Sequence, residues 1–127
     1  MTYQKLSSDI ISASIEVHKK LGPGLLESSY EACLAYEFSE RNISFERQVP
    51  LPIHYKNVQL DCGYRLDFVV NEIIIIELKS VETLLPIHTA QTLTYLRLSH
   101  LPLALLLNFN SQVLKDGIRR LINTKRS

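Results

Sequence analysis

No stretch of the chain approaches the ~18 consecutive apolar residues that a membrane-spanning helix needs, and the opening MTYQKLSSDI lacks the basic-then-apolar order of a secretory signal. A CxxC pair is missing too. Cys33 and Cys62 stand apart inside apolar patterns and read as reduced core thiols, which implies a reducing cytoplasm. Nor is there an excess of positive charge. Fourteen Lys and Arg against thirteen Asp and Glu leave a net charge of +1, whereas a protein that holds nucleic acid by charge alone is strongly basic. The cations come in small groups, His18-Lys19-Lys20 and then Lys115, Arg119, Arg120, Lys125 and Arg126. Each group alone reads as a solvated helix face or a basic tail. Any grip on nucleic acid is then local, modest or assisted by a partner. Repeats, low-complexity tracts and linkers are absent, so 1–127 reads as one domain, large enough to bury a core without disulfides or a structural metal.

What is present is a series of clear periodicities. Ser7 and Ser8 offer N-caps and Asp9 suits a first turn; Ile10, Ala13, Ser14, Val17 and Leu21 then recur at helical spacing, and Gly22-Pro23-Gly24 ends the helix. A second helix spans about Leu25 to Arg41, with an inward stripe of Leu26, Tyr30, Cys33, Leu34 and Phe38. From Phe45 to Lys56 the period becomes two. Pro50 and Pro52 withhold N–H groups on the same side, which marks an edge strand. After Lys56-Asn57, another alternating strand places Leu60, Cys62, Tyr64, Leu66, Phe68 and Val70 on one face. Asn71-Glu72 turns it into the apolar run Ile73-Ile74-Ile75-Ile76-Glu77-Leu78-Lys79, a central strand covered on both sides. Pro86 starts a helix reaching about Ser99, Leu103 to Phe109 forms a buried strand, and a last helix spans about Gln112 to Asn123. The order is α-α-β-β-β-α-β-α, an α/β (α+β) protein.

The chemistry concentrates around Asp67 and Glu77-Leu78-Lys79. Glu77 and Lys79 are two apart on a strand and share a face, a costly placement at the end of an isoleucine run unless they meet a counter-ion or water. A two-residue turn at Asn71-Glu72 would send Asp67 and Glu77 to opposite faces. A three-residue loop or a bulge brings them to one face, and convergence requires it. Two convergent carboxylates suit a hard cation such as Mg²⁺, with the Lys79 ammonium placed to orient a water or to stabilise a phosphoryl oxygen. From spacing alone, a surface Glu77–Lys79 ion pair with Asp67 capping a turn is the better explanation, because this pattern arises by chance in many strands. Glu27, at the start of the second helix, three before Tyr30 and seven before Leu34 on the face expected to turn inward, reads either as a favourable charge at a helix N-terminus or as a further acid, ligand to a metal or partner to one. In the later helix His88, Gln91 and Tyr95 form a polar seam beside an apolar one of Ile87, Ala90 and Leu93/Thr94; Gln91 and Tyr95 are placed to overhang the Lys79 strand.

The string VHKKLGPGLLESSYEACLAYEF contains Gly24-Leu25-Leu26-Glu27-Ser28-Ser29-Tyr30. With Asp67, Glu77-Leu78-Lys79, His88-Thr89-Ala90-Gln91, Tyr95, LLLNFN (105–110) and KDGIRR (115–120), it resembles the GxxExxY group of PD-(D/E)xK-like proteins over roughly Ile10 to Ile122. The resemblance implies a restriction-endonuclease-like core: a mixed four-stranded sheet with a β-meander flanked by helices. It implies Asp67 and Glu77 as ligands of Mg²⁺ or Mn²⁺, Lys79 as the residue assisting the attacking water, and Glu27 as an acid completing the metal shell. It also implies Gln91 and Tyr95 as the QxxxY helix of the exonuclease-like branch. Thr89 departs from the acidic residue expected in many relatives, so no role attaches to position 89.

The function implied is metal-dependent phosphodiester hydrolysis, of DNA ahead of RNA, through a Mg²⁺-activated water and with low sequence specificity. The partner is then nucleic acid and not a membrane, with a homodimer or an unidentified partner protein as ways to supplement the weak charge. The competing reading is a catalytically silent module that binds nucleic acid or protein while keeping the fold; the retention of Glu27, Asp67, Glu77 and Lys79 weighs against it. Hydrolysis of a nucleotide or other small phosphoester is a third reading, which a narrow pocket would favour.

Overall fold

The computed structural model describes residues 3–124; Lys125 and Arg126 of the C-terminal basic group lie outside the described residues. Two helices come first, α1 (Tyr3–Leu21) and α2 (Glu27–Glu40), followed by β1 (Phe45–Pro50), β2 (Ile53–Tyr55), β3 (Val58–Leu60), β4 (Arg65–Val70) and β5 (Ile74–Lys79). Then α3 (Pro86–Ser99) leads to β6 (Leu103–Asn108), a single 3-10 turn at Leu114–Gly117, and β7 (Ile118–Ile122). The main sheet has the order β1-β4-β5-β6-β7. Its neighbours are antiparallel except β5 and β6, which run parallel and are joined through α3. No helix among the described residues is long and apolar enough to cross a membrane.

The strand alternation divides the core into two layers. Ile74, Ile76 and Leu78 of β5 join Phe68, Val70, Leu105 and Leu107 beneath α1 and α2, which contribute Ile10, Val17, Leu34 and Phe38. Ile75 faces the other way, with Leu66, Val69 and Ala104, against Leu96 of α3. By the same period of two, Glu77 and Lys79 belong to the α3 side.

Several expectations need correction. The segment expected to be a last helix is instead the 3-10 turn and β7, which adds a fifth strand to the sheet. Two constraints decide this. Strand β6 has an open edge that β7 completes, Leu103 pairing with Ile122 and Leu107 with Ile118. Gly117 also packs so closely that a Cβ there would collide with Ser111 Oγ and stand 2.6 Å from the Asn108 carbonyl oxygen. A tight Asp-Gly turn fits that space and a continuing helix does not.

The two long alternating strands are interrupted. Leu51 turns inward and its N–H bonds to the Tyr64 carbonyl at 3.0 Å. Asp61 Oδ1 accepts from the Gly63 N–H at 3.0 Å, in a turn where Gly63 has φ +81, a conformation that favours glycine. The excised pieces form the separate β2–β3 ribbon. Cys62 falls at this break and is exposed, not a core thiol, whereas Cys33 is half-buried. β1 is an edge strand, as Pro50 and Pro52 indicate. At the N-terminus α1 already includes Tyr3, so Ser7 is a buried helical residue and not a cap. Leu26 is 76% exposed rather than inward. In α3 the buried residues are Thr92 and Leu96, while Ile87 and Ala90 are exposed, so the apolar seam lies elsewhere on the helix than expected.

Candidate active site

The β4–β5 hairpin determines whether the two carboxylates meet. Val70 pairs with Ile74, leaving Asn71-Glu72-Ile73 as a three-residue loop closed by the Ile73 N–H to the Val70 carbonyl at 3.0 Å. Asn71 and Glu72 both take left-handed φ, 53° and 56°. This is the odd loop that convergence requires, and it brings Asp67 opposite Glu77. Regular pairing runs only as far as Phe68 with Ile76. Beyond it Asp67 Oδ2 accepts the Leu78 N–H at 2.8 Å, so a side chain takes the place of a ladder bond.

The neighbouring strand is irregular at the same level. The β1–β4 register omits the Gln48–Asp67 pair, and Gln48 adopts φ 50, a strain of order 1 kcal/mol for a non-glycine residue. Its side-chain amide is held by Glu31 Oε1 of α2 at 2.7 Å, and Glu31 Oε2 also accepts from Arg47 at 3.0 Å. Asp67 therefore sits where the sheet is splayed on both sides.

Glu77 is 6% exposed and lies beside Asp67, and its Oε1 has no partner among the described residues. Its pKa is pushed up to about 10, first by burial, then by the hydrogen bond to Asp67 and by the charge on Asp67. A backbone hydrogen bond at Asp67 and the Lys79 ammonium act in the opposite direction and are outweighed. Without a cation, Glu77 is a neutral carboxylic acid at pH 7.

The α3 helix forms the other wall. Lys79 Nζ lies 3.5 Å from Gln91 Oε1, at the long limit of a hydrogen bond. One turn further along α3, Tyr95 has its phenol pKa raised, by burial first and then by the charges of Glu77, Tyr64 and Asp67. At neutral pH it is an O–H donor. His88 takes a different part from the one its spacing implies: its Nδ1 accepts the Leu85 N–H at 2.9 Å and so caps the start of α3.

Sequence reasoning missed two contributors. Tyr64 packs its ring on Tyr95 at 5.8 Å between centroids; alternation groups it only with the Leu60-to-Val70 face of a strand that in fact breaks there. Asn108, opposite Lys79 in the parallel pair, clamps the chain leaving β5. Its Oδ1 accepts the Val81 N–H at 3.0 Å and its Nδ2 donates to the Val81 carbonyl at 2.9 Å. The signal was visible as a buried polar residue ending an apolar strand.

The glycine–tyrosine motif acts structurally. Tyr30 is fully buried, stacks on Phe109 at 4.6 Å, and its hydroxyl donates to the Gly22 carbonyl at 2.6 Å while accepting the Leu25 N–H at 3.2 Å. It fastens the turn before α2. Ser80 Oγ then bonds the Leu25 carbonyl at 2.6 Å, tying that turn to the end of β5. Glu27 is exposed at the first position of α2, whose buried side packs in the opposite layer from Glu77. Among the described residues no three His, Cys, Asp or Glu side chains converge in a way that could hold a metal ion. The structure thus brings together Asp67, Glu77, Lys79, Gln91 and Tyr95, and leaves Glu27 outside that group.

Two carboxyls, one with a buried and unpartnered oxygen, fit a hard cation that keeps several waters and takes one or two protein carboxylates, the usual mode of Mg²⁺. The sequence model of a family described as the PD-(D/E)XK nuclease superfamily matches residues 4–121. Among curated proteins and solved structures, none matches the chain.

Proposed function

Because the chain belongs to the PD-(D/E)XK nuclease superfamily and its five-stranded mixed sheet, flanked by helices, is consistent with a restriction-endonuclease-like fold, we propose that it is a nuclease hydrolysing DNA phosphodiester bonds, with Mg²⁺ or Mn²⁺ and low sequence specificity. Within the superfamily, Gly24-Leu25-Leu26-Glu27-Ser28-Ser29-Tyr30 supports membership of the GxxExxY group. The observation that carries the proposal is Glu77 Oε1, buried beside Asp67 and without a partner. A purely structural acid would have its oxygens satisfied or solvated.

In this reading Asp67 and Glu77 would hold the cation, which would supply Lewis acidity toward a phosphoryl oxygen and lower the pKa of a water. Asp67 is fixed for that task by the Leu78 N–H. The Lys79 ammonium, steadied by Gln91, orients the attacking water or neutralises charge that develops on the phosphoryl group. The Tyr95 hydroxyl, kept protonated by its surroundings, donates toward the same region. Glu27 is exposed at the first position of α2, and in this reading it would contribute through its charge rather than as a ligand. The net charge of +1 supports low specificity and modest affinity, with a homodimer or a second protein adding grip, in the cytoplasm. A silent binding module would gain nothing from burying a carboxylic acid in this way.

The test is incubation of the protein with single- and double-stranded DNA and RNA, in Mn²⁺ or in EDTA, beside Lys79→Ala. Cleavage is expected in Mn²⁺ only and lost in the variant. Cleavage that persists in Lys79→Ala overturns the assignment.

A further inference from the structure

The rim of the carboxylate pair carries aromatic and apolar surface beside two cations, Arg65 and Lys79. Tyr64, three residues before Asp67, retains 42% exposure while its ring packs on Tyr95. Its backbone is held in place: the Tyr64 carbonyl accepts from the Leu51 N–H and from Arg65 Nη1, each at 3.0 Å. Tyr95 is in turn close enough to Glu77 and Asp67 to feel their charges. On α3, Ile87 precedes Gln91 by four residues, as Gln91 precedes Tyr95, so it continues that stripe one turn outward; it is 65% exposed. Exposed Leu26 follows the Leu25 whose carbonyl Ser80, the residue after Lys79, bonds.

A duplex presents its phosphates outward and its base faces to itself, so a protein grips it through several cationic contacts. An unpaired strand exposes base faces, which stack on aromatic side chains with few cations needed. The rim offers stacking surface with the Lys79 ammonium within reach of Gln91 and the Arg65 guanidinium beside Tyr64, few cations for a duplex. Resting on the nuclease reading above, we propose that the strand entering this site is unpaired, and that Tyr64 is the platform on which a base next to the reacting phosphate stacks. Tyr64 is thus a specificity-determining residue, selecting single-stranded or frayed nucleic acid over paired duplex.

Fluorescence anisotropy of the whole chain tests this without turnover, in EDTA and in Ca²⁺. The probes are an oligothymidine strand, its oligouridine counterpart, a blunt duplex of equal length, and an equally long strand with abasic sites in place of every base. The single strand is expected to bind more tightly than the duplex and the abasic strand, whichever sugar it carries. Tyr64→Ala is expected to weaken single-strand binding at least about fivefold, and Tyr64→Phe to keep it, with thermal melting confirming that both variants fold. Equal binding of strand and duplex, an unchanged Tyr64→Ala, or equal binding of the abasic strand overturns the inference, as does absence of single-strand binding in both buffers. Tyr64-dependent strand binding without Mn²⁺-dependent cleavage upholds it while removing the nuclease reading. Cleavage with strand and duplex bound alike does the reverse.

Discussion

Ile75 and Glu77 are two residues apart on β5, face the same layer, and are both buried, but they use burial for opposite ends. Ile75 is surrounded by Leu66, Val69, Leu96 and Ala104 and contributes to stability. Glu77 has an oxygen with nothing to bond and holds a proton far above the ordinary carboxylate range. The difference within one strand shows where cohesion ends and chemistry begins. The first half of β5 secures the sheet, and Glu77 and Lys79 in the second half present a carboxyl group and an ammonium that the sheet does not need.

Substitutions on the two halves separate these roles. The largest effect expected is on activity: Lys79→Ala lowers cleavage by about 10²–10⁴-fold, yet shifts stability by no more than about 0.5 kcal/mol, because Nζ makes only one long contact. Parallel cleavage and chemical-denaturation series check both parts, and an unfolded Lys79→Ala would assign the residue to structure. Ile75→Ala is expected to cost about 2–5 kcal/mol through the cavity it leaves, with residual folded protein still active.

A smaller effect concerns pH. A carboxyl whose pKa is raised on folding binds a proton more tightly in the folded chain than in the unfolded one. Its stabilising contribution is therefore full below 4.5 and is lost as pH rises toward about 10. Metal-free wild type should lose thermal stability across that window. Glu77→Gln should match wild type at pH 4 and exceed it by several degrees at pH 9, in melts followed by circular dichroism. A parallel pair of melting curves for wild type and variant across pH would show that Glu77 is solvated after all.

The smallest effect belongs to the support of the site. Asn108→Ala, which frees Val81 N–H and C=O, should cost about 1–3 kcal/mol. It should also reduce activity more than Ile75→Ala does at equal residual stability.

The same contrast explains what the sequence made legible. Strong local periodicity identified α1, α2, α3 and the hydrophobic β5 and β6, and the requirement that Asp67 and Glu77 converge yielded the three-residue hairpin loop. The segment 112–123 misled because its spacing of apolar residues suits a helix. Whether it coils or pairs depends on the open edge of β6 and on the space around Gly117, neither of which is local information. The β2–β3 ribbon escaped for a similar reason: alternation continues through Leu51 and Cys62, while the break is made by a long-range bond from Leu51 to Tyr64. The same alternation groups Tyr64 on one face with Leu66 and Phe68, which are buried, whereas Tyr64 is 42% exposed. The spacing of Glu27 to Tyr30 points inward, but residues 25–28 are all exposed and burial in α2 begins at Tyr30.

The central claim is that the unpartnered oxygen of Glu77 is the place of a divalent cation. Melting of wild type and Glu77→Gln with increasing Mn²⁺ at pH 6 and pH 8 measures it. Wild type should gain about 3 °C or more at saturating Mn²⁺. The gain should be larger at pH 8, where displacing the proton is easier, and absent in Glu77→Gln. No gain in wild type, or an equal gain in the variant, contradicts the account.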